Sequence, residues 1–356
     1  MVFDDLAAQS GQWLSGKGPH SDIVISSRVR LARNLAAFPF MSKASRAQRA
    51  QLHRLCREHL THLPDGGKLL YIEIDKTEET DRQMLVERHL ISKQLASGEG
   101  SRGVAITADE GLSVMVNEED HLRLQVMRSG VQLRECWQEA DRLDDLLQQQ
   151  LEYAFHERWG YLTACPTNVG TGMRVSVMMH LPALKLTGEI EKVFQSARDI
   201  HLAIRGLFGE GTEAVGDFYQ ISNQTTLGRS EEEILAEFSD SVIPKIIEAE
   251  MTSRAILENE RPLAVDDKIG RAIGVLRNAR LLTTEETLYF LSHLRLGVTM
   301  RRVTGLTIDT INRLFLMVHP AHLQRILGQR LDGEARKAAR ADFVRRELEP
   351  QEKSGN

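Results

Sequence analysis

A chain of 356 residues is long for one hydrophobic core and predicts two domains. Its 42% hydrophobic and 27% charged content is that of an ordinary soluble globular protein, and no apolar run approaches bilayer-spanning length. The net charge of -5 argues against wholesale nucleic-acid binding, and Asp4 and Asp5 stand where a secretory signal would carry basic residues, so a cytosolic location is predicted.

Residues 22–26 read as a short strand, and 45–63 carry apolar residues at helical spacing. Helix is expected again over 79–95, until Gly98-Glu99-Gly100-Ser101 breaks the chain. Residues 103–107 and 112–117 alternate as strands, which puts Glu118 and Glu119 just past a strand end, where carboxylates can face a cleft. A long helix is predicted over 131–156, then a strand at 161–164, a glycine-rich turn and a strand over 174–181. Further strands fit 200–207 and 216–222. From Ser230, suited to cap a helix opened by Glu231, Glu232 and Glu233, the pattern is wholly helical. Pro262 and residues 263–267 mark the expected boundary, and amphipathic helices follow at 268–280, 284–297, 307–317, 320–328 and 334–348. The expected fold is α+β: a mixed, largely antiparallel sheet flanked by helices over 1–255, then a small all-α domain over 260–350.

The segment Cys165-Pro166-Thr167-Asn168-Val169-Gly170-Thr171-Gly172-Met173-Arg174 carries the most chemistry. Its glycines permit a tight turn and its arginine opens the next strand, so backbone and guanidinium can meet a phosphate together. Because the turn joins two strands and opens no helix, it is neither a Walker-type loop nor a dinucleotide fingerprint. Cys56, Cys136 and Cys165 are odd in number and widely separated, which fits neither a disulfide framework nor a zinc site. His53, His59 and His62 have no second ligand pair, so no protein-held metal is expected.

Three more segments accompany that turn: Ser26-Ser27-Arg28-Val29-Arg30, Asn117-Glu118-Glu119-Asp120-His121-Leu122-Arg123, and Arg205-Gly206-Leu207-Phe208-Gly209-Glu210-Gly211-Thr212-Glu213. In this order the four segments resemble the guanidino (phosphagen) kinases, which move a phosphoryl group between ATP and a guanidinium nitrogen. The resemblance implies that Arg28, Arg30, Arg123, Arg174 and Arg205, with Ser27, grip the nucleotide phosphates, a task for planar forks that lysine performs poorly. Opposite them, Glu119 and Glu210 would hold the acceptor guanidinium, with Glu119 taking its proton. Cys165 corresponds to the family's reactive cysteine, an auxiliary thiolate beside the non-reacting nitrogens. Mg²⁺ would ride on the ATP phosphates, supported through water by Glu118.

Members acting on small guanidino compounds carry a helical domain ahead of the Ser-Ser-Arg motif, whereas 25 residues precede Ser26 here and a helical region follows the core. That arrangement resembles the branch that phosphorylates arginine side chains of proteins, since an uncovered acceptor side admits a macromolecule. Phe208 and Met178 replace the Arg and His that small-guanidino members commonly carry at nucleotide-contacting positions. The branch uses an Arg-Asp-x-x-Arg-Ala element to read phosphoarginine. The nearest match is Arg336-Lys337-Ala338-Ala339-Arg340-Ala341, with lysine in the acid's place. The resemblance further implies homodimers, a separate zinc-binding activator protein, a heat-shock repressor and unfolded or aggregated proteins as substrates, and delivery of marked proteins to a Clp unfoldase and protease. Two rival readings are a kinase for free arginine or another small guanidino compound, and a non-catalytic phosphoarginine-binding adaptor. Retention of Glu119 and Glu210 argues against the adaptor, which has no need of a base.

Overall fold

The computed structural model describes residues 2–63, 66–206 and 215–349. Its strands are, in chain order, β1 (Val24–Arg33), β2 (Leu70–Glu73), β3 (Gly103–Ile106), β4 (Leu112–Val116), β5 (Leu122–Ser129), β6 (Phe155–His156), β7 (Gly160–Tyr161), β8 (Met173–His180), β9 (Leu202–Gly206) and β10 (Phe218–Asn223). Eight of them form one sheet in the order β2-β3-β4-β5-β1-β8-β10-β9, and β6 and β7 pair as a small hairpin. Every pairing in the large sheet is antiparallel.

Period-two alternation divides this sheet into two unlike faces. Val29, Leu31, Leu124, Val126, Val175, Val177 and Ile221 are fully or almost fully buried on one face. They share a core with Leu52, Cys56 and Leu60 of helix Arg46–Thr61 and with Cys136, Ala140, Leu143 and Leu147 of helix Leu133–Gln148. Burying one such aliphatic side chain contributes about 1.5–3 kcal/mol, so this face anchors the sheet. The other face is polar at its centre and is where the cleft lies.

Helices Pro262–Asn278, Thr284–Thr299, Ile308–Met317, Pro320–Leu327 and Gly333–Leu348 make up the C-terminal region. They pack on the sheet itself: Ile25, Met127, Met178 and Phe218 share a core with Leu288, Leu291, Leu314 and Phe315. Phe218 meets Phe315 edge-on at 4.5 Å and stacks on His180 at 4.8 Å. Fully buried Arg295 donates to the carbonyls of Ser21 and Asp22 just ahead of β1, and to Asn312 Oδ1. Ser230 caps its helix as expected, accepting from Glu233 N at 3.2 Å while the Glu233 carboxylate accepts from Ser230 N.

Several elements differ from expectation. The first strand runs to Arg33, because its arginines alternate with Val29 and Leu31. Helix 79–95 is two pieces, Glu79–Glu87 and Lys93–Ser97, separated by His89 at φ 59. The break follows from Arg88, whose fully buried guanidinium binds Glu110 and the ring of His322. Ser92 then caps the second piece by accepting from Leu95 N. Helix 131–156 stops at Gln148, and residues 263–267 are helical turns opened by Pro262 at the helix start. The strand expected at 161–164 shrinks to the edge of the β6–β7 hairpin, and β2 and β5 were not expected at all.

Candidate active site

Register alone gathers the five arginines. Arg30 lies directly across from Arg174 on β8 and from Gln125 on β5, Ala32 across from Arg123, and Arg28 across from Ser176. Ser176 faces Ser222, and Gln220 of the same strand β10 faces Arg205. All five guanidiniums therefore rise from one sheet face into a cleft of about 870 Å³. Arg28 Nε donates to Ser176 Oγ (3.1 Å) and Nη2 to Gln220 Oε1 (2.7 Å), and Arg174 donates to Ser222 Oγ. Buried Arg30 Nε has no hydrogen-bond partner among the described residues.

Crowded cations raise the local cost of charge. Burial, with the neighbouring Arg174, Arg123 and Arg205, presses Arg28 down to about 9, and burial with Arg28, Arg123 and Arg174 presses Arg30 well below its usual range. Guanidinium stays protonated at neutral pH, so a bound polyanion would relieve the strain. His89, which also lines the cleft, is pushed down to about 3 by burial and then by Arg28, and stands neutral.

Carboxylates reach the same cleft from the turn between β4 and β5. Asn117 opens it at φ 61, a conformation asparagine tolerates, and its side chain donates to the carbonyls of Arg49 and Ser101. Glu118 is buried and accepts from Ser92 Oγ (2.5 Å), Arg123 Nη1 (2.8 Å) and Glu119 N (2.9 Å). Glu119, its side chain 35% exposed, lies 3.6 Å from Arg123 Nη2. Burial, then the Asp120 carboxylate, raises the Glu119 carboxyl above its ordinary range against the pull of Arg123. Glu119 and Cys165 line the same cleft. The Cys165 thiol sits 3.0 Å from Thr167 Oγ1.

The turn beyond Cys165 needs its glycines. At Gly172 (φ +64) a Cβ would stand 2.6 Å from the Ala32 carbonyl oxygen, and at Gly170 (φ +112) 2.4 Å from that of Thr226. The close approach seats the loop between the end of β1 and residues 226–227. Arg33, from the same arginine-rich motif, faces away from the cleft. It is 1% exposed, forks onto Asp144 and covers the Tyr161 ring at 3.5 Å, holding the loop from behind.

Ser27, expected among the phosphate contacts, is not in the cleft. Its odd position on β1 turns it to the helix-covered face, where Oγ donates to Gly130 O (2.8 Å) and accepts from Gln132 N (2.9 Å). Met178 is buried in the apolar cluster with Phe218 and Phe315. Arg340 is buried and donates to the carbonyls of Val318 and Leu282, so its Nε and Nη1 are spent within the helical region, while Arg336 is half-buried. Glu210 and Phe208 lie outside the described residues. Residues without a signal in the sequence motifs also meet here: His89, Gln125 and Gln220 line the cleft, and alternation along β5 and β10 was the available clue to the two glutamines.

The chain also resembles known proteins along most of its length. The model of the ATP:guanido phosphotransferase C-terminal catalytic domain matches residues 51–253, and that of the protein-arginine kinase McsB C-terminal domain matches 262–356. Protein-arginine kinases of Halothermothrix orenii and Symbiobacterium thermophilum are each 44% identical, over 98% of this chain and 99% of theirs. One from Bacillus mycoides is 40% identical over 94% of this chain and 95% of its own. Among solved structures, a lombricine kinase aligns with TM-score 0.59 and 25% identity over 70% of this chain and 71% of that one. A duplicated taurocyamine kinase from Schistosoma mansoni, with bound transition state analog components, aligns with TM-score 0.60 and 27% identity over 69% of this chain and 35% of its own length. By sequence over nearly its whole length, and by fold over its sheet-based part, the chain belongs to the guanidino kinase family and, within it, to the ATP-dependent protein-arginine kinases.

Proposed function

We propose that Arg28, Arg30, Arg123, Arg174 and Arg205 hold the phosphates of ATP while Glu119 and Glu210 hold and align a protein arginine side chain for attack. The observation that carries this reading is the joint placement of the five guanidiniums, Glu119 and Cys165 around one cleft. Glu119 takes a proton from the guanidinium, the freed nitrogen lone pair forms a bond to the γ-phosphorus, and the bond from that phosphorus to the β–γ bridging oxygen breaks, leaving ADP. A guanidinium is a poor nucleophile until it loses a proton, and a carboxylate raised above its ordinary range is a stronger base for that step. The arginines contribute positive charge that is already in place as charge shifts toward the leaving ADP. Cys165 lies beside the nitrogens that do not react.

Bound Mg²⁺ supplies charge neutralisation at the β- and γ-phosphates. Among the described residues no group of three His, Cys, Asp or Glu side chains could hold a metal ion. Glu118, already anchored by Ser92 and Arg123, suits support through a water better than direct ligation. The resemblance to this family implies finer biology as well: a cytosolic homodimer, with a helical regulatory region over 260–350, that works with a zinc-binding activator. It marks a heat-shock repressor and unfolded proteins for a Clp unfoldase and protease. Arg336 and Arg340 would sense phosphoarginine, with Arg336 as the accessible member of the pair.

The test is incubation of the purified chain with ATP, Mg²⁺ and an unfolded protein, followed by assay for acid-labile, base-stable phosphate on arginine. Glu119→Gln should lower the rate about 10²-fold. Phosphate on serine, threonine or tyrosine, or an undiminished Glu119→Gln enzyme, overturns the reading. Equal turnover of free arginine would favour a small-guanidino acceptor.

A further inference from the structure

Next to Glu119 lies a carboxylate that never reaches the cleft. Asp120 is completely buried and has no ion-pair partner among the described residues. Its Oδ1 accepts from Asn34 Nδ2 and from the backbone N–H of Ala164, both at 2.7 Å, and its Oδ2 has no hydrogen-bond partner among the described residues. Burying a charge in this way is expensive, and an apolar residue would ordinarily serve stability better.

The two donors explain the position. Ala164 immediately precedes Cys165, whose carbonyl in turn accepts from Thr163 Oγ1 at 2.8 Å. Asn34 continues β1, donates also to Leu162 O (3.0 Å) and accepts from His121 N (3.0 Å). His121 completes the junction, accepting from Leu35 N at Nδ1 and donating from Nε2 to Pro39 O, each at 3.0 Å. Three stretches distant in sequence therefore meet at one oxygen: the end of β1, the turn that carries Glu119 and the segment that carries Cys165.

We propose that Asp120 is a positioning residue, locking the Glu119 turn to the Cys165 segment so that the two groups facing the acceptor guanidinium keep one relative geometry. This rests on the reading of Glu119 and Cys165 as acceptor-side groups. The held oxygen does the positioning, and an asparagine can present the same acceptor to both donors.

The full-length chain should be compared as wild type, Asp120→Asn and Asp120→Ala, with Leu257→Ala, a buried site in helix Ile243–Glu260, as a variant destabilised elsewhere. Misplacement of about 1 Å costs on the order of 10²-fold in rate, so Asp120→Ala should lose roughly that factor in kcat with KM for ATP nearly unchanged. Asp120→Asn should retain kcat within about threefold. The rate at which iodoacetamide alkylates Cys165 in the nucleotide-free protein should change severalfold in Asp120→Ala and not in Asp120→Asn. Wild-type kcat in Asp120→Ala, an equal loss in Leu257→Ala, unchanged alkylation, or an asparagine variant as impaired as the alanine one would each overturn the proposal. Should Asp120→Ala fail to fold, Asn34→Ser removes one of the two bonds and must show the same split between kcat and KM. If Glu119→Gln keeps full activity the reading of the site fails, while the alkylation comparison, which needs no turnover, still decides whether Asp120 holds Cys165.

Discussion

Replacing Arg30 by methionine should make the nucleotide-free protein more stable and its nucleotide complex weaker. Methionine keeps most of the side-chain length and removes the charge. Arg30 faces Arg174 directly across the ladder, shares its face with Arg28 and Arg123, and has a buried Nε without a partner among the described residues. Like charges opposite one another cost up to about 1 kcal/mol, and an unsatisfied buried donor costs about 1–3 kcal/mol. The attraction of Glu118 for Arg30 offsets part of this. A net gain of about 1–2 kcal/mol remains, and at roughly 2 °C per kcal/mol for a chain of this size Tm should rise by about 2–4 °C. Loss of a charge-assisted phosphate contact, worth about 1.5–3 kcal/mol, should weaken ADP or ATP about 10- to 100-fold. Thermal denaturation with and without ADP and Mg²⁺ reads both effects: a higher baseline and a smaller ligand-induced rise. A lowered baseline together with a wild-type nucleotide response would refute the idea that this face is strained until an anion binds.

The remaining predictions concern which face a residue takes and which protonation state acts. Ser27→Ala should leave KM for ATP unchanged and lower stability by about 1 kcal/mol, measured by urea denaturation, because it deletes bonds to Gly130 and Gln132 and Ser27 does not line the cleft. A raised KM would return Ser27 to the phosphate site. In its proposed role as base Glu119 acts ionised, so kcat should fall as pH drops through its raised value, a limb lying above the ordinary glutamate range near 4.3. ADP release is the suitable readout, since the P–N bond of the product is acid-labile. A limb at or below the ordinary range would contradict the environment assigned to this carboxylate.

The arginine positions were legible because each sits in a distinctive local motif, and their convergence followed once strand parity was known. That same parity corrects Ser27, one residue away from Arg28 and on the opposite face. β5 had a readable pattern, with Leu122, Leu124 and Val126 alternating with Arg123 and Gln125, but its polar half lines the cleft and masks the apolar half. The break at His89 had no local cue. It depends on Arg88 meeting Glu110 and on His322, more than two hundred residues away, accepting the same buried guanidinium. Asp120 was equally silent, because the Ala164 N–H it holds is defined only after the chain has folded.

The way the C-terminal helices cover Ile25, Met127, Met178 and Phe218 bears on how this enzyme can be dissected. A cut near residue 255 would strip the lid from an aromatic and thioether surface on the very sheet that bears the arginines. It would also take Ser292 and Arg295 from His180 and leave the carbonyls ahead of β1 without their donors. Such a fragment would be sticky before it was inactive, so an idle truncated enzyme would say little about regulation.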